Sequence, residues 1–171
     1  MKWLFAIAVV LMVGCNPVSH IYIVRHAEKA SNDPKDPELT SAGIARANAL
    51  GLQLRDKGIS KIYSTNFKRT MATAKPLSDF IHVPVELYKN DTSGMMLRNI
   101  MKLRKNALVV GHSNTSVAML DSLHVPHVKK VIPDSEYDNL FIVTVKKGEA
   151  VKVEEKKYGA PSVVVSGEVM K

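Results

Sequence analysis

Arg25 and His26 close a short apolar run, Ile21 to Val24, and are followed at once by Ala27 and Glu28. Charged side chains are rarely buried without partners, so this pair at a strand's end points to a ligand. Two later stretches repeat the pattern. Ile59 to Ser64 leads on to Arg69, and the very apolar Ala107 to Gly111 runs into His112, Ser113 and Asn114. In open α/β sheets such strand ends share one edge, where ligands bind. Two arginines and two histidines there make a site for a dianion, because guanidinium groups take phosphate oxygens bidentately and keep their charge. His26 can be the nucleophile, since imidazole is neutral near pH 7 and attacks phosphorus directly. The arginines should depress both histidine pKa values, and His112 can donate to oxygens on which negative charge builds. The expected chemistry is phosphoryl transfer.

The elements that position these groups follow from periodicity. Asn16 to Ser19 reads as a tether, and the strand follows. The polar stretch Lys29 to Glu38, with Asn32-Asp33-Pro34 and Asp36-Pro37, is a surface loop at the mouth of the site. Thr40 or Ser41 caps a helix whose inward residues are Ile44, Ala47, Leu50, Gly51 and Leu54. Asn66 to Ile81 is a second helix, with Met71, Ala74, Leu77 and Ile81 on one face and a kink or break at Pro76. Val83 to Leu87 is a strand, and the following helix turns Met95, Met96, Ile100 and Leu103 inward. Thr115 to Leu123 is another helix. His124 to Pro133 is a basic connector, and Asp134 to Asn139 an acidic turn. Leu140 to Val145 and Ala150 to Val153 form an antiparallel hairpin at a sheet edge, and Val163 to Val165 adds a further strand or belongs to the tail. Strands alternating with helices predict a three-layer α/β/α sandwich with a mostly parallel central sheet.

Length and composition agree with that reading. At 171 residues, 46% hydrophobic and 23% charged, the chain suits one globular domain. A net charge of +8 favours anionic partners. The lysines are scattered and aromatic residues make up only 6%, which argues against nucleic acid. Lys2 precedes an apolar run from Trp3 to Val13, too short to span a bilayer and of the length of a secretion signal. Cys15 is the sole cysteine, so no disulfide can form within the chain. Met12-Val13-Gly14-Cys15 resembles a bacterial lipoprotein processing box, which implies cleavage before Cys15 and a lipid on its sulfur. The expected organisation is a signal peptide over 1–14, a lipidated tether over 15–19 and one domain over 20–171. The expected location is the bacterial cell envelope, anchored through that lipid and facing the periplasm or the surface.

Beyond the strand ends, the motifs resemble the histidine phosphatase superfamily, in the branch with phosphoglycerate mutases and phosphohistidine phosphatases. Arg25-His26-Ala27-Glu28 is similar to its Arg-His-Gly motif, and Leu39-Thr40-x-x-Gly43 to the start of its first helix. Ser64 to Ala74 is similar to its Ser-x-x-x-x-Arg-Thr-x-x-Thr-Ala stretch, and Val109 to Ser113 to the stretch around its second histidine. The resemblance implies that His26 is phosphorylated in turnover and that Arg25, Arg69 and His112 hold the phosphoryl group, with Ser113 or Asn114 contributing a further hydrogen bond. It implies no cofactor and no metal, the arginines supplying the charge stabilisation of a cation.

Two positions depart from the family. Ala27 replaces a glycine, which a negative φ would tolerate. No general acid stands at the family's usual place, and Asp91, Glu136, Glu86 and Glu28 are all candidates. Phosphohistidine is a good leaving group when protonated, so an enzyme acting on it can manage without a strong acid. The expected function is metal-independent hydrolysis of a phosphate monoester or phosphoramidate. The alternative is a lipoprotein that binds phosphorylated ligands in the same pocket without turnover. His20, His82, His124 and His127 fall in no motif and are taken as surface or packing residues; a pair such as His124 and His127 is a poor metal site without carboxylate or cysteine partners.

Overall fold

A computed structural model describes residues 17–162. The expected signal peptide, the cysteine expected to carry a lipid, Cys15, and the expected further strand at 163–165 lie outside the described residues.

The order of elements is β1 (Val18–Arg25), α1 (Ser41–Leu54), β2 (Ile59–Thr65), α2 (Lys68–Ile81), β3 (Val85–Tyr88), a 3-10 turn over Asn90–Thr92, α3 (Ser93–Leu103), β4 (Asn106–Gly111), α4 (Ser113–Asp121), β5 (Asn139–Lys146) and β6 (Glu149–Lys157). They form one six-stranded sheet in the order β3-β2-β4-β1-β5-β6. The first four of these strands run parallel, and β5 and β6 add antiparallel on the β1 side. This is the expected mostly parallel sheet with its C-terminal hairpin.

Alternation along the central strands makes the two outer layers necessary. Ile21, Ile23, Ala107 and Val109 point to one face, where they meet Leu97, Ile100, Met119 and Leu120 of α3 and α4. Tyr22, Val24, Leu108 and Val110 point to the other, against Leu50 and Leu54 of α1 and Ala74 and Leu77 of α2. Strands apolar on both faces need cover on both sides.

Several boundaries and faces differ from the sequence expectation. Val18 and Ser19 already pair with Lys146 and Val145 of β5, so the strand begins inside the expected tether. Ile44 is 54% exposed, while Arg46 turns inward in its place because Glu28 is there to receive it. In α3 the buried face is Leu97, Ile100 and Met101, and Met95 and Leu103 face out. One helical turn spans 3.6 residues, so two nearly equivalent apolar stripes were available in that sequence. Helix α2 starts at Lys68 and continues through Pro76 without a break. Proline there removes one backbone hydrogen bond, and the buried Ala74 and Leu77 on either side keep the helix packed. Pro84 cannot donate to a ladder, and β3 accordingly starts at Val85. Helix α4 begins at Ser113, earlier than expected, with His112 as its N-cap.

Candidate active site

The C-terminal ends of β1, β2 and β4 lie side by side and bring the predicted residues together. Arg25 pairs with Gly111 across β1 and β4, and the His26 N–H donates to the Gly111 carbonyl at 2.9 Å. That register sets the His26 and His112 rings 5.5 Å apart between centroids, inclined at 68°. Gly111 is required at this crossing, since a Cβ would sit 2.8 Å from the Tyr88 hydroxyl and 2.9 Å from Thr115 Oγ1.

His26 is 4% exposed, and its Nδ1 lies 2.8 Å from the Ala27 carbonyl oxygen. A carbonyl only accepts, so Nδ1 carries the proton and Nε2 holds the free lone pair. Burial is the largest influence on its pKa and lowers it; the Ala27 hydrogen bond opposes, and Arg25, His112 and Arg69 add to the fall, to about 3. His112 falls to about 4, again by burial first and then by Arg69 and Arg25. The expectation that arginines depress both histidines is met, although desolvation is the larger cause. Ala27 is fully buried, its backbone is not among the described residues with positive φ, and its N–H donates to Thr73 Oγ1 at 3.0 Å. The alanine in place of glycine is therefore accommodated.

His112 is fixed at both nitrogens. Thr65 Oγ1 gives its proton to Thr70 Oγ1 and so accepts from His112 Nε2 at 3.0 Å. Nδ1 then faces Arg69 Nη2 at 3.5 Å, so the single N–H of this neutral ring is already used, and the donation from His112 to a phosphoryl oxygen expected from the sequence is not available in this arrangement. Phe67 supports both residues, with the Arg69 guanidinium carbon 4.5 Å from its ring centroid and His112 edge-on at 5.1 Å. Arg69 Nε and Nη1 are buried donors without a hydrogen-bond partner. Such donors are costly to leave unpaired, and the Arg69 charge is close enough to add to the fall in the His26 pKa. Ser113 is the first residue of α4 and half-buried. The helix start adds backbone donors and a positive dipole end to the pocket. Asn114 is exposed.

Arg25 behaves differently from the expectation of a simple phosphate fork. Its Nη1 donates to the carbonyls of Pro133, Asp134 and Glu136, and its Nη2 to Asp134 Oδ1 at 3.2 Å. Its guanidinium carbon lies 4.3 Å from the Tyr137 ring centroid. Only the buried Nε is without a partner. Arg25 thus ties the 133–137 segment to the site and contributes charge and one free donor.

The four candidate acids do not converge on the pocket. Glu28 is held by Arg46 through contacts of 2.7 to 3.0 Å. Glu86 is paired with Lys61, four residues before the end of β2. Glu136 binds Lys129 and Lys157; burial raises its pKa, but those hydrogen bonds outweigh it and hold the carboxyl below its usual range. Asp91 is exposed on the 3-10 turn. Two carboxylates that the motifs did not single out do reach site residues. Asp36 lies 3.6 Å from Arg69 Nη1 and accepts the Lys68 N–H at the start of α2. Asp134 meets Arg25. Asp36 was legible only as a turn former, and Tyr137 carried no signal, whereas Thr65 and Thr73 fall within the quoted Ser64 to Ala74 stretch. Of the remaining histidines, His20 is half-buried and His82 and His124 are exposed, while His127 bonds to Asp121 and to the Lys129 carbonyl.

This constellation agrees with a comparison of the sequence with known families. Residues 21–90 match the histidine phosphatase superfamily (branch 1). Similar curated proteins are the probable phosphoglycerate mutases GpmB of Yersinia pestis (strain Pestoides F) and Yersinia pseudotuberculosis (serotype O:3, strain YPIII). Each is 35% identical over 65 residues, covering 34% of this chain. The chain spans about 30% of the length of these relatives. Among solved structures, the protein histidine phosphatase SixA complexed with tungstate superposes with a TM-score of 0.67 at 17% identity, over 81% of this chain and 96% of that one. A mycobacterial glucosyl-3-phosphoglycerate phosphatase superposes with a TM-score of 0.65 at 11% identity, over 84% of this chain and 99% of that one. At these identities the likenesses show a shared fold, over 81% and 84% of this chain. The segment 21–90 holds Arg25, His26 and Arg69, and His112 comes to them through the fold.

Proposed function

We propose that this chain is a histidine phosphatase that hydrolyses a phosphate monoester or phosphoramidate through a phosphohistidine on His26. The observation that carries this reading is the tautomer of His26: with Nδ1–H bound to Ala27, the Nε2 lone pair is free beside Arg69 and His112. In the first step Nε2 bonds to phosphorus as the P–O bond of the ester or the P–N bond of the phosphoramidate breaks, and the leaving group takes a proton from water. In the second, water attacks phosphorus, the P–N bond breaks, and phosphate leaves with neutral imidazole restored. Arg69, Arg25 Nε and the start of α4 would stabilise the transferring oxygens throughout.

Three of the four candidate acids are engaged by basic partners and the fourth is exposed. This supports substrates whose leaving group needs little protonation, phosphohistidine and aryl phosphates among them. The same observation favours the second reading, a pocket that binds phosphorylated ligands without turnover. The test is rapid acid-free quenching after mixing with radiolabelled p-nitrophenyl phosphate or a phosphohistidine peptide. Acid-labile, base-stable label on the native chain and none on His26→Ala supports the enzyme. Saturable phosphate binding with no label and no turnover in either chain supports the binder.

We further propose that Cys15 carries a lipid and holds the domain at a bacterial envelope membrane, supported by the Met12-Val13-Gly14-Cys15 sequence. Mass spectrometry of the membrane-extracted chain would show the added acyl groups, and their loss in Cys15→Ser.

A further inference from the structure

The edge of the sheet opposite the active site gathers cations that the phosphatase reading does not use. The N-terminal ends of β2, β4 and β1 and the β5–β6 turn are consecutive along that edge. Side-chain and backbone contacts join them. Asn106 donates to the Lys57 carbonyl at 2.7 Å and accepts the His20 N–H at 2.8 Å. Val18 pairs with Lys146. A Cβ on Gly148 would lie 3.9 Å from the Lys102 Cα. Exposed Arg55, Lys57, Lys102, Arg104, Lys105, Lys146 and Lys147 therefore crowd one end of the molecule. The acidic residues in those segments are Asp56, which is paired with Arg55, and Glu149. Val18 and Leu103 add exposed apolar surface, 47% each.

We infer that this basic edge, from the turn before β2 to the β5–β6 turn, is a docking surface for an anionic lipid bilayer. Two observations favour that occupant. The first is charge: lysines near an anionic membrane attract it additively. The second is where the chain enters. Cys15 lies three peptide units before Val18, at most about 11 Å along the chain, and Val18 opens in the middle of the basic edge. A lipid on Cys15 would hold this edge against the headgroups. The active site lies at the other end of β1, about 23 Å away at 3.3 Å per residue, and would face the aqueous side. Its substrate would then be a soluble molecule or an exposed protein site rather than a headgroup. The second observation rests on the lipid proposed for Cys15; the charge rests on neither the lipid nor the phosphatase reading, and a chain without the lipid tests it by itself.

The test uses the full chain carrying Cys15→Ser, which removes the lipid, and compares it with a second chain that also carries Lys57→Gln, Lys102→Gln, Lys105→Gln and Lys146→Gln. None of the four lysines makes an ion pair among the described residues, and none has positive φ. Co-sedimentation is measured with phosphatidylglycerol vesicles and with neutral phosphatidylcholine vesicles, at low and high salt. The expected result is a salt-sensitive preference for anionic vesicles that falls at least about tenfold in the substituted chain; each lysine near such a surface contributes roughly fivefold. Binding to neutral vesicles reports the apolar leader, which both chains share. An unchanged anionic preference in the substituted chain would overturn the inference. So would equal binding to a DNA duplex, which would mark the edge as an unselective polyanion site. Thermal melts and p-nitrophenyl phosphate turnover should be the same in both chains. If the fourfold variant fails to fold, Lys102→Gln with Lys146→Gln serves with an expected loss of several-fold.

Discussion

The Nδ1–H of His26 is held by the carbonyl oxygen of Ala27 at 2.8 Å, and the N–H of Ala27 is held in turn by Thr73 Oγ1 at 3.0 Å. The proposed nucleophile is thus oriented by the backbone of its own neighbour, and that backbone by a helix. Thr73 Oγ1 also donates to the Arg69 carbonyl at 2.7 Å. Thr73→Val would leave the Ala27 N–H buried and unpaired, at a cost of about 1–3 kcal/mol in stability. It should lower kcat by about tenfold or more with a smaller effect on KM, and Thr73→Ser should restore most of both. Steady-state kinetics with thermal melts would measure this.

Arg69 keeps Nε and Nη1 as buried donors without hydrogen-bond partners on its planar guanidinium. Lysine keeps the charge and loses the fork. Arg69→Lys should reduce kcat/KM by about 100-fold, and should weaken inhibition by inorganic phosphate or tungstate in step.

The carboxylate of Asp36 lies 3.6 Å from Arg69 Nη1 and competes with an incoming dianion. Asp36→Asn keeps an acceptor for the Lys68 N–H and removes the charge. Phosphate should bind up to about fivefold more tightly, from the roughly 0.2–1 kcal/mol expected of a screened pair. Isothermal titration at two salt concentrations would read it, with the difference shrinking at high salt.

Both site histidines are held neutral in the folded chain, at pKa values of about 3 and about 4, below the ordinary 6.5. The unfolded chain therefore binds more protons between pH 6.5 and those values, and stability falls as pH drops through that window. The loss approaches about 1.4 kcal/mol per pH unit for each histidine. His26→Gln should flatten the dependence of urea midpoint on pH between 6.5 and 4. A slope identical to that of the native chain would contradict the buried, neutral imidazole.

Arg46 is 4% exposed and its partner Glu28 22%. Removing one member of such a pair strands the other. Glu28→Ala should cost about 3 kcal/mol of stability, seen as a shift in urea midpoint. Glu86→Gln, on a pair at the sheet surface, should leave turnover within about twofold.

How much of this was legible beforehand differs between elements. The strand ends were readable because apolar runs that stop at Arg25-His26 and at His112 place polar side chains together at one edge of an α/β sheet. The layers were readable because alternation in β1 and β4 has no other use than two covered faces. The faces of α1 and α3 were not, since Ile44 against Arg46, and Met95 against Met101, differ only in what each meets across the layer.

Sequence alone thus determined the residue types of the pocket, their order and the α/β frame, because these are local patterns of burial and spacing. Tertiary structure decided the protonation of His26, the capture of Arg25 by the carbonyls of 133–136, and the neutralisation of Glu28, Glu86 and Glu136. Each depends on groups from 7 to 111 residues distant, apart from the His26 bond itself, which depends on burial supplied by the whole edge. No local pattern encodes a partner that only folding brings within hydrogen-bond range.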